Sequence, residues 1–233
     1  MSSEPLLKLR RGLIETGIVI FVITLVNFWL FPGSLAKFAG LFDQKLAFFG
    51  VMEPTMALLK FSIFIGLGVT VPWLFFRIAQ AVYAVFPLKK REVLFFTCAA
   101  LMLFYVGALF CLSITLPFAM KFLLGFASDT LQPVISVERF VNFVVLFTVG
   151  FGLVFEVPLI ITGLCYMGIC SPELFCRSRS YAILIIAILS AILTPTPDAF
   201  NMMLMAVPIY ILYELGILIG RLFHKKRISQ ETP

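Results

Sequence analysis

Apolar residues recur along this chain in long runs, separated by short basic or proline-bearing segments, and the run lengths set the expected architecture. A helix needs about 20 apolar residues to cross about 30 Å of hydrocarbon. Six runs qualify, at about 12–31, 57–85, 93–120, 140–166, 180–197 and 199–220. The third holds 28 uncharged residues between Glu92 and Lys121, whereas the fourth, which follows Arg139, is interrupted by Glu156. The fifth is the shortest: 18 residues separate Arg179 from Asp198, and the last four are Thr-Pro-Thr-Pro. So few residues link it to the sixth that the two should form a tight antiparallel hairpin. Between Pro32 and Pro54 the pattern changes. Leu35, Phe38, Phe42, Leu46 and Phe49 recur at three- and four-residue steps, with Lys37, Asp43 and Lys45 largely on other faces. That spacing predicts an amphipathic helix over about 33–55, lying in the outer interface or capping the bundle. The connection from Gly125 to Glu138 is polar and is expected to lack long regular structure. The expected fold is an all-α membrane protein, one membrane domain over 1–233 with six transmembrane helices.

Composition strengthens this reading. Hydrophobic residues make up 61% of the 233 and charged residues 13%, with 27 Phe and one His. The mean hydropathy is +1.08. Soluble chains run at about 45–50% apolar and about 25% charged, so a soluble enzyme, a DNA-binding domain and a disordered region are all excluded. The net charge of +6 does not indicate a nucleic-acid partner, because 12 of the 18 Lys and Arg fall in four clusters alternating with the spans. These are Lys8, Arg10 and Arg11; Lys89, Lys90 and Arg91; Arg177 and Arg179; and Arg221, Lys225, Lys226 and Arg227. The opposite connections carry Lys37, Lys45, Lys121 and Arg139, offset by Asp43, Glu53, Asp129, Glu138 and Asp198. The positive-inside bias therefore places both termini in the cytoplasm. The first run, about 20 residues long with no small-residue cleavage pattern after it, reads as a retained helix rather than a signal peptide. The five Cys show no metal-site spacing and read as reduced thiols used as small hydrophobes. No metal or cofactor is expected, and no catalytic constellation is present in the sequence.

Polar residues inside the spans are the candidate chemistry. Glu156 lies 17 residues after Arg139, roughly 25 Å along a helix, which places it in the inner half of the bilayer. A carboxylate there costs several kcal/mol unless protonated, paired or wetted, so it marks function by default. Pro158 follows two residues later and frees a backbone carbonyl, predicting a kinked, locally polar helix. The plainer alternative is a protonated carboxyl hydrogen-bonded across helices. Glu214 is expected to snorkel or to meet Arg221 two turns on, and Glu15 and Arg77 to reach the headgroups. Pro72 and Pro117 read as kinks, and Gly66 and Gly68 as small residues at helix interfaces.

Several local strings, read in order, resemble one family. They are Leu9-Arg-Arg11, Glu53-Pro54, Pro87-Leu-Lys-Lys-Arg-Glu92, Phe104-Tyr-Val-Gly107 and Phe155-Glu-Val-Pro158. Met167-Gly-Ile-Cys-Ser-Pro172, Leu193-Thr-Pro-Thr-Pro-Asp198 and Tyr213-Glu-Leu-Gly216 follow. Together they resemble TatC, the multispanning receptor component of the twin-arginine protein translocase. The resemblance implies a cup-like six-helix bundle in the bacterial cytoplasmic (inner) membrane. It would bind the twin-arginine signal peptides of folded cargo and assemble with TatA- and TatB-type single-span partners, in transport driven by the proton-motive force. A homo-oligomer within a larger complex is also implied, together with contact to membrane lipid. Carried onto this chain, the signal-peptide site comprises Lys8, Leu9, Arg10, Lys89, Arg91 and Glu92. Pro54 and Asp198 are external structural positions.

The family's two acidic signal-site positions fall here on Lys8 and Lys89. Lysines repel arginines, so either Glu92, with Glu4, substitutes from a neighbouring position, or the chain is a divergent paralogue with altered cargo. A short fifth span thins the bilayer around it or draws in a partner. The wall of spans four to six is therefore the expected dock for single-span helices, with Glu156 offering its carboxyl and Thr194, Asn201 and Glu214 as further polar contacts. Two alternatives remain open at this point: a small secondary transporter using Glu156 as a proton or cation site, and a scaffold that has lost cargo recognition. Transporters usually show internal repeats, and no convincing match relates the first three spans to the last three.

Overall fold

The computed structural model describes residues 4–30, 33–40, 46–85, 90–125, 135–193 and 199–231, and almost all of them are helical. Four helical spans among them are long and apolar enough to cross a membrane: Glu53–Gln80, Lys90–Phe122, Val137–Tyr166 and Met205–Phe223. Ile14–Leu30 with Ser34–Gly40 makes a fifth if that bent pair is counted as one span, and Arg179–Ile192 is a shorter apolar helix. The chain divides into two compact units, Met1–Thr97 with Leu116–Phe147, and Cys98–Thr115 with Thr148–Pro233.

The first unit is built on two antiparallel helices, α1 (Glu4–Leu30) and α3 (Glu53–Val85), packed along their length. Their seam is polar and small rather than bulky. The Ser62 hydroxyl donates to Asn27 Oδ1 at 3.0 Å. A Cβ on Gly66 would come within 3.2 Å of both Ile20 O and Thr24 Oγ1. Close backbone approach of this kind is how membrane helices associate where lipid removes the hydrophobic drive. A Cβ on Gly68, by contrast, would meet no atom within 4 Å, so of these two it is Gly66 that packs at the interface. The other faces of both helices expose large apolar side chains, among them Ile18, Phe21, Leu25, Leu59 and Val69, as lipid-facing surfaces do.

The connection from α1 to α3 departs from expectation. Helix α2 covers only Ser34–Gly40, with Leu35 and Ala39 buried, and the amphipathic pattern beyond it does not continue as a helix. Residues 41–45 lie outside the described residues. Leu46 and Ala47 form β1, paired in parallel with β2 (Ile135–Ser136). The Phe49 amide donates to a Glu53 carboxylate oxygen at 2.6 Å, turning the chain into α3. The apolar period in 46–49 thus serves an extended segment and a turn. Glu53 also accepts from the Ser136 hydroxyl, and Ser136 Oγ accepts from the Arg139 amide at 3.3 Å, capping α6 (Val137–Val154). A Lys60–Glu138 ion pair joins α3 to α6 two turns further along α3.

Helix α4 (Lys90–Phe110) runs into a π-helical turn, Cys111–Thr115, and then α5 (Leu116–Leu124). In the second unit α7 (Val157–Tyr166), α8 (Pro172–Arg177) and α9 (Arg179–Leu193) pack against α10 (Ala199–Glu231) or one another. Ile161, Cys165, Ile186, Ile209, Tyr213 and Ile217 form their shared core. Helix α10 continues past the expected end at 220 into the basic tail. The Met167–Pro172 string explains itself here. Gly168 adopts φ 74°, its amide bonds Cys165 O at 3.2 Å, and the Ile169 amide bonds Leu164 O at 3.0 Å. This closes α7 with a left-handed cap that glycine alone adopts without strain. Ser171 and Pro172 then start α8 at its N-cap and first helical position.

Candidate functional site

Glu156 sits at a break in the fourth predicted span. Phe155 and Glu156 form a turn between α6 and α7, where the Glu156 amide bonds Leu153 O at 3.1 Å and the Ile160 amide resumes the helix on Glu156 O at 2.9 Å. Pro158 has no N–H to give to the preceding turn, and this is the local cause. Glu156 is only 6% exposed within the chain alone. Its neighbours are locked on two sides. A Cβ on Gly107 would stand 2.7 Å from Phe155 Cγ and 2.8 Å from Phe151 O, and one on Gly152 would stand 2.7 Å from Phe104 Cε2. The Phe104–Gly107 string of α4 therefore interlocks with the Phe155–Pro158 string. On the other side a Cβ on Gly216 would stand 2.8 Å from Pro158 Cα. Three of the strings that carried the resemblance thus meet around one carboxyl.

The carboxyl is not fully satisfied. The Phe104 backbone lies against it, but Oε1 has no hydrogen-bond partner among the described residues. Thr162 and Ser190, also buried in this unit, each hold a hydroxyl without a partner among those residues. Buried polar atoms left unpaired cost about 1–3 kcal/mol each, so Oε1 is held at a cost that a further hydrogen bond would remove.

Glu214 is placed otherwise than expected. It does not meet Arg221. Its two oxygens take Arg179 Nε and Nη2, each at 2.8 Å, and it accepts from the Tyr210 hydroxyl at 2.9 Å. The guanidinium fork of Arg179 fits a carboxylate in two parallel bonds, and α9 lies beside α10 to offer it. Arg221 instead directs Nη2 to Cys176 Sγ at 2.8 Å. The Tyr213 hydroxyl donates to Phe175 O at 2.8 Å. Asn201 falls in the first turn of α10. Thr194 and Asp198 lie outside the described residues.

In the first unit Lys8, Leu9 and Arg10 fall on the helical backbone of α1, and Lys89 lies outside the described residues. Arg91 is exposed and Glu92 half-buried in the first turn of α4; Pro54 opens α3. Glu15 and Arg77 are not two separate snorkelling chains: they form an ion pair between α1 and α3. The Arg77 guanidinium also covers the Trp73 ring, 4.7 Å from its centroid. The sequence carried a signal for this pair, namely opposite charges about two to three turns from the neighbouring ends of adjacent antiparallel helices.

Comparison with known proteins agrees with this geometry. The family model described as Sec-independent protein translocase protein (TatC) matches residues 4–208. The TatC protein of Carboxydothermus hydrogenoformans is 32% identical over 232 residues, 98% of this chain and 96% of its own length. That of Desulforapulum autotrophicum is 37% identical over 189 residues, 81% of this chain and 70% of its own. A crystal structure of the twin arginine translocase receptor TatC superposes with a TM-score of 0.82 at 30% identity, covering 94% of this chain and 99% of that one. The chain belongs to the TatC family of Sec-independent protein translocases.

Proposed function

We propose that this protein is the receptor and core subunit of a twin-arginine translocase in the bacterial inner membrane. It binds the signal peptides of folded cargo at its cytoplasmic face and recruits single-span helices of the TatA and TatB type. The reading takes all six runs as spans of one membrane domain, with both termini inside and Pro54 and Asp198 at the outer ends. Family membership favours it over the transporter alternative. The protein performs transport rather than catalysis, and it works as a homo-oligomer within a larger complex.

The observation that carries the mechanism is the unpaired oxygen of Glu156 at a proline-broken helix, held between α4 and α10. An incoming transmembrane helix with a polar side chain satisfies that oxygen, and the cost of about 1–3 kcal/mol for one unpaired buried polar atom becomes a drive for docking. Thr194, Asn201 and Glu214 supply polar contacts along the same wall. Signal peptides engage α1 around Lys8, Leu9 and Arg10 and the loop and first turn of α4 around Lys89, Arg91 and Glu92. In a strain whose own TatC is deleted, this protein restores export of a folded twin-arginine reporter when supplied with its single-span partners. Glu156→Ala leaves insertion intact and lowers export, while Glu156→Gln retains much of it because the amide still hydrogen-bonds. Full export by Glu156→Ala overturns the assignment.

A further inference from the structure

The Glu15–Arg77 pair lies at the end of α1 that carries Lys8, Arg10 and Arg11, and no part of the reading above uses it. It has the makings of a guanidinium site. A carboxylate meets the guanidinium, an indole face covers it at 4.7 Å, and Gly12 leaves the room that its stem occupies. A Cβ on Gly12 would stand 3.1 Å from Arg77 Cδ and 3.2 Å from Cγ. Carboxylate and aromatic face are the two groups that hold arginine best. The site is not sealed, because the Glu15 side chain is 41% exposed against 24% for Arg77. Nor is its occupant fully satisfied, since the buried Arg77 Nε has no partner among the described residues. The stretch of α1 before it is cationic: Lys8 and Arg11 precede Glu15 by two turns and one turn. An arginine arriving here needs a carboxylate, and Glu15 is one whose present partner comes from the chain itself.

We propose that Glu15 is an acceptor for one arginine of the signal peptide, and that Arg77 occupies this site in the resting protein and is displaced on binding. The inference rests on the signal-peptide reading above and deepens it. It accounts for a receptor face with lysines at positions 8 and 89: the acid sits deeper on α1, guarded by an internal arginine. Because an intramolecular competitor acts at high effective concentration, removing Arg77 strengthens binding, whereas a pair that merely ties α1 to α3 would weaken it when broken.

The test is photo-crosslinking of a synthetic signal peptide bearing Arg-Arg, with a Lys-Lys peptide as control, to the full chain in membrane vesicles. Arg77→Gln raises the Arg-Arg-specific yield about threefold or more, the factor expected for a partly exposed ion pair. Glu15→Gln lowers it, and the double variant stays low because the acceptor is gone. Arg77→Lys, which keeps the charge but not the planar fork, gives a smaller rise and decides the matter if Arg77→Gln does not insert. Losses of similar size in Arg77→Gln and Glu15→Gln, a fall or no change in Arg77→Lys, or unchanged yields throughout overturn the proposal. No preference for Arg-Arg over Lys-Lys in any protein, wild type included, is a separate failure that overturns the signal-peptide reading itself.

Discussion

Replacing Gly107 by Ala tests whether the two interlocked strings hold Glu156 in place. The added Cβ would stand 2.7 Å from Phe155 Cγ, 2.8 Å from Phe155 Cβ and 2.8 Å from the Phe151 carbonyl oxygen. Carbon contacts are best at about 3.5–4.0 Å, so the new methyl is short by roughly 0.7 Å or more. A rotamer change of Phe155 does not relieve it, since one obstacle is backbone. Helices α4 and α6 must part, at an overpacking cost of about 1–3 kcal/mol, offset by the gain of roughly 0.5–1 kcal/mol for Gly→Ala in a helix. The net loss, centred near 1 kcal/mol and reaching about 2.5 kcal/mol, lowers the midpoint by roughly 2–10 °C for a chain of this size. Gly163, in α7, has no atom within 4 Å of its ideal Cβ, and Gly163→Ala shows the helix gain alone. Thermal unfolding of the detergent-solubilised protein, followed by tryptophan fluorescence, reads both. Opposite signs are expected. A Gly107→Ala protein that melts at or above the wild type would refute the interlock.

Two further outcomes are expected. In a double-mutant cycle with Arg179→Ala and Glu214→Ala, the coupling is about 0.2–1 kcal/mol and shrinks with salt, because the two side chains are 45% and 32% exposed; coupling well above that range would contradict the account. Reporters fused after Lys90 and after Arg227 read as cytoplasmic and one after Asp129 as external, whereas an external C-terminus would rule out the six-span reading.

The parts legible in the sequence were those set by local chemistry. An acid followed two residues later by proline predicts a break in an apolar helix, and Glu156 and Pro158 produce one. Long uncharged runs predict helices, and α3, α4 and α6–α7 follow them closely. What was not legible depends on partners far away in the chain. The three- and four-residue period from Leu35 to Phe49 looked like one helix, but Leu46 and Ala47 pair with Ile135 and Ser136, and Glu53 draws the Phe49 amide to itself. Glu214 has a cation two turns along its own helix, yet it takes Arg179 because α9 packs beside α10 and presents a fork. Glu15 and Arg77 each looked like a chain reaching for headgroups; opposite charges at one depth on adjacent helices satisfy each other first. The π-helical turn at Cys111–Thr115 ends two residues before Pro117, whose missing N–H predicts a kink there but not its form.

The central claim is that a single-span helix docks where Glu156 waits for a partner. Disulfide crosslinking in membranes tests it most directly, with the five native cysteines replaced and single cysteines placed at exposed positions. Leu153, Ile160, Ile188 and Ile192 sample the Glu156 break and α9, and Phe21 and Leu25 on α1 serve as controls. The account predicts crosslinks to a TatA- or TatB-type helix from the first group, lost in Glu156→Ala and kept in Glu156→Gln. Crosslinks confined to the α1 positions, or a pattern indifferent to Glu156, would contradict it.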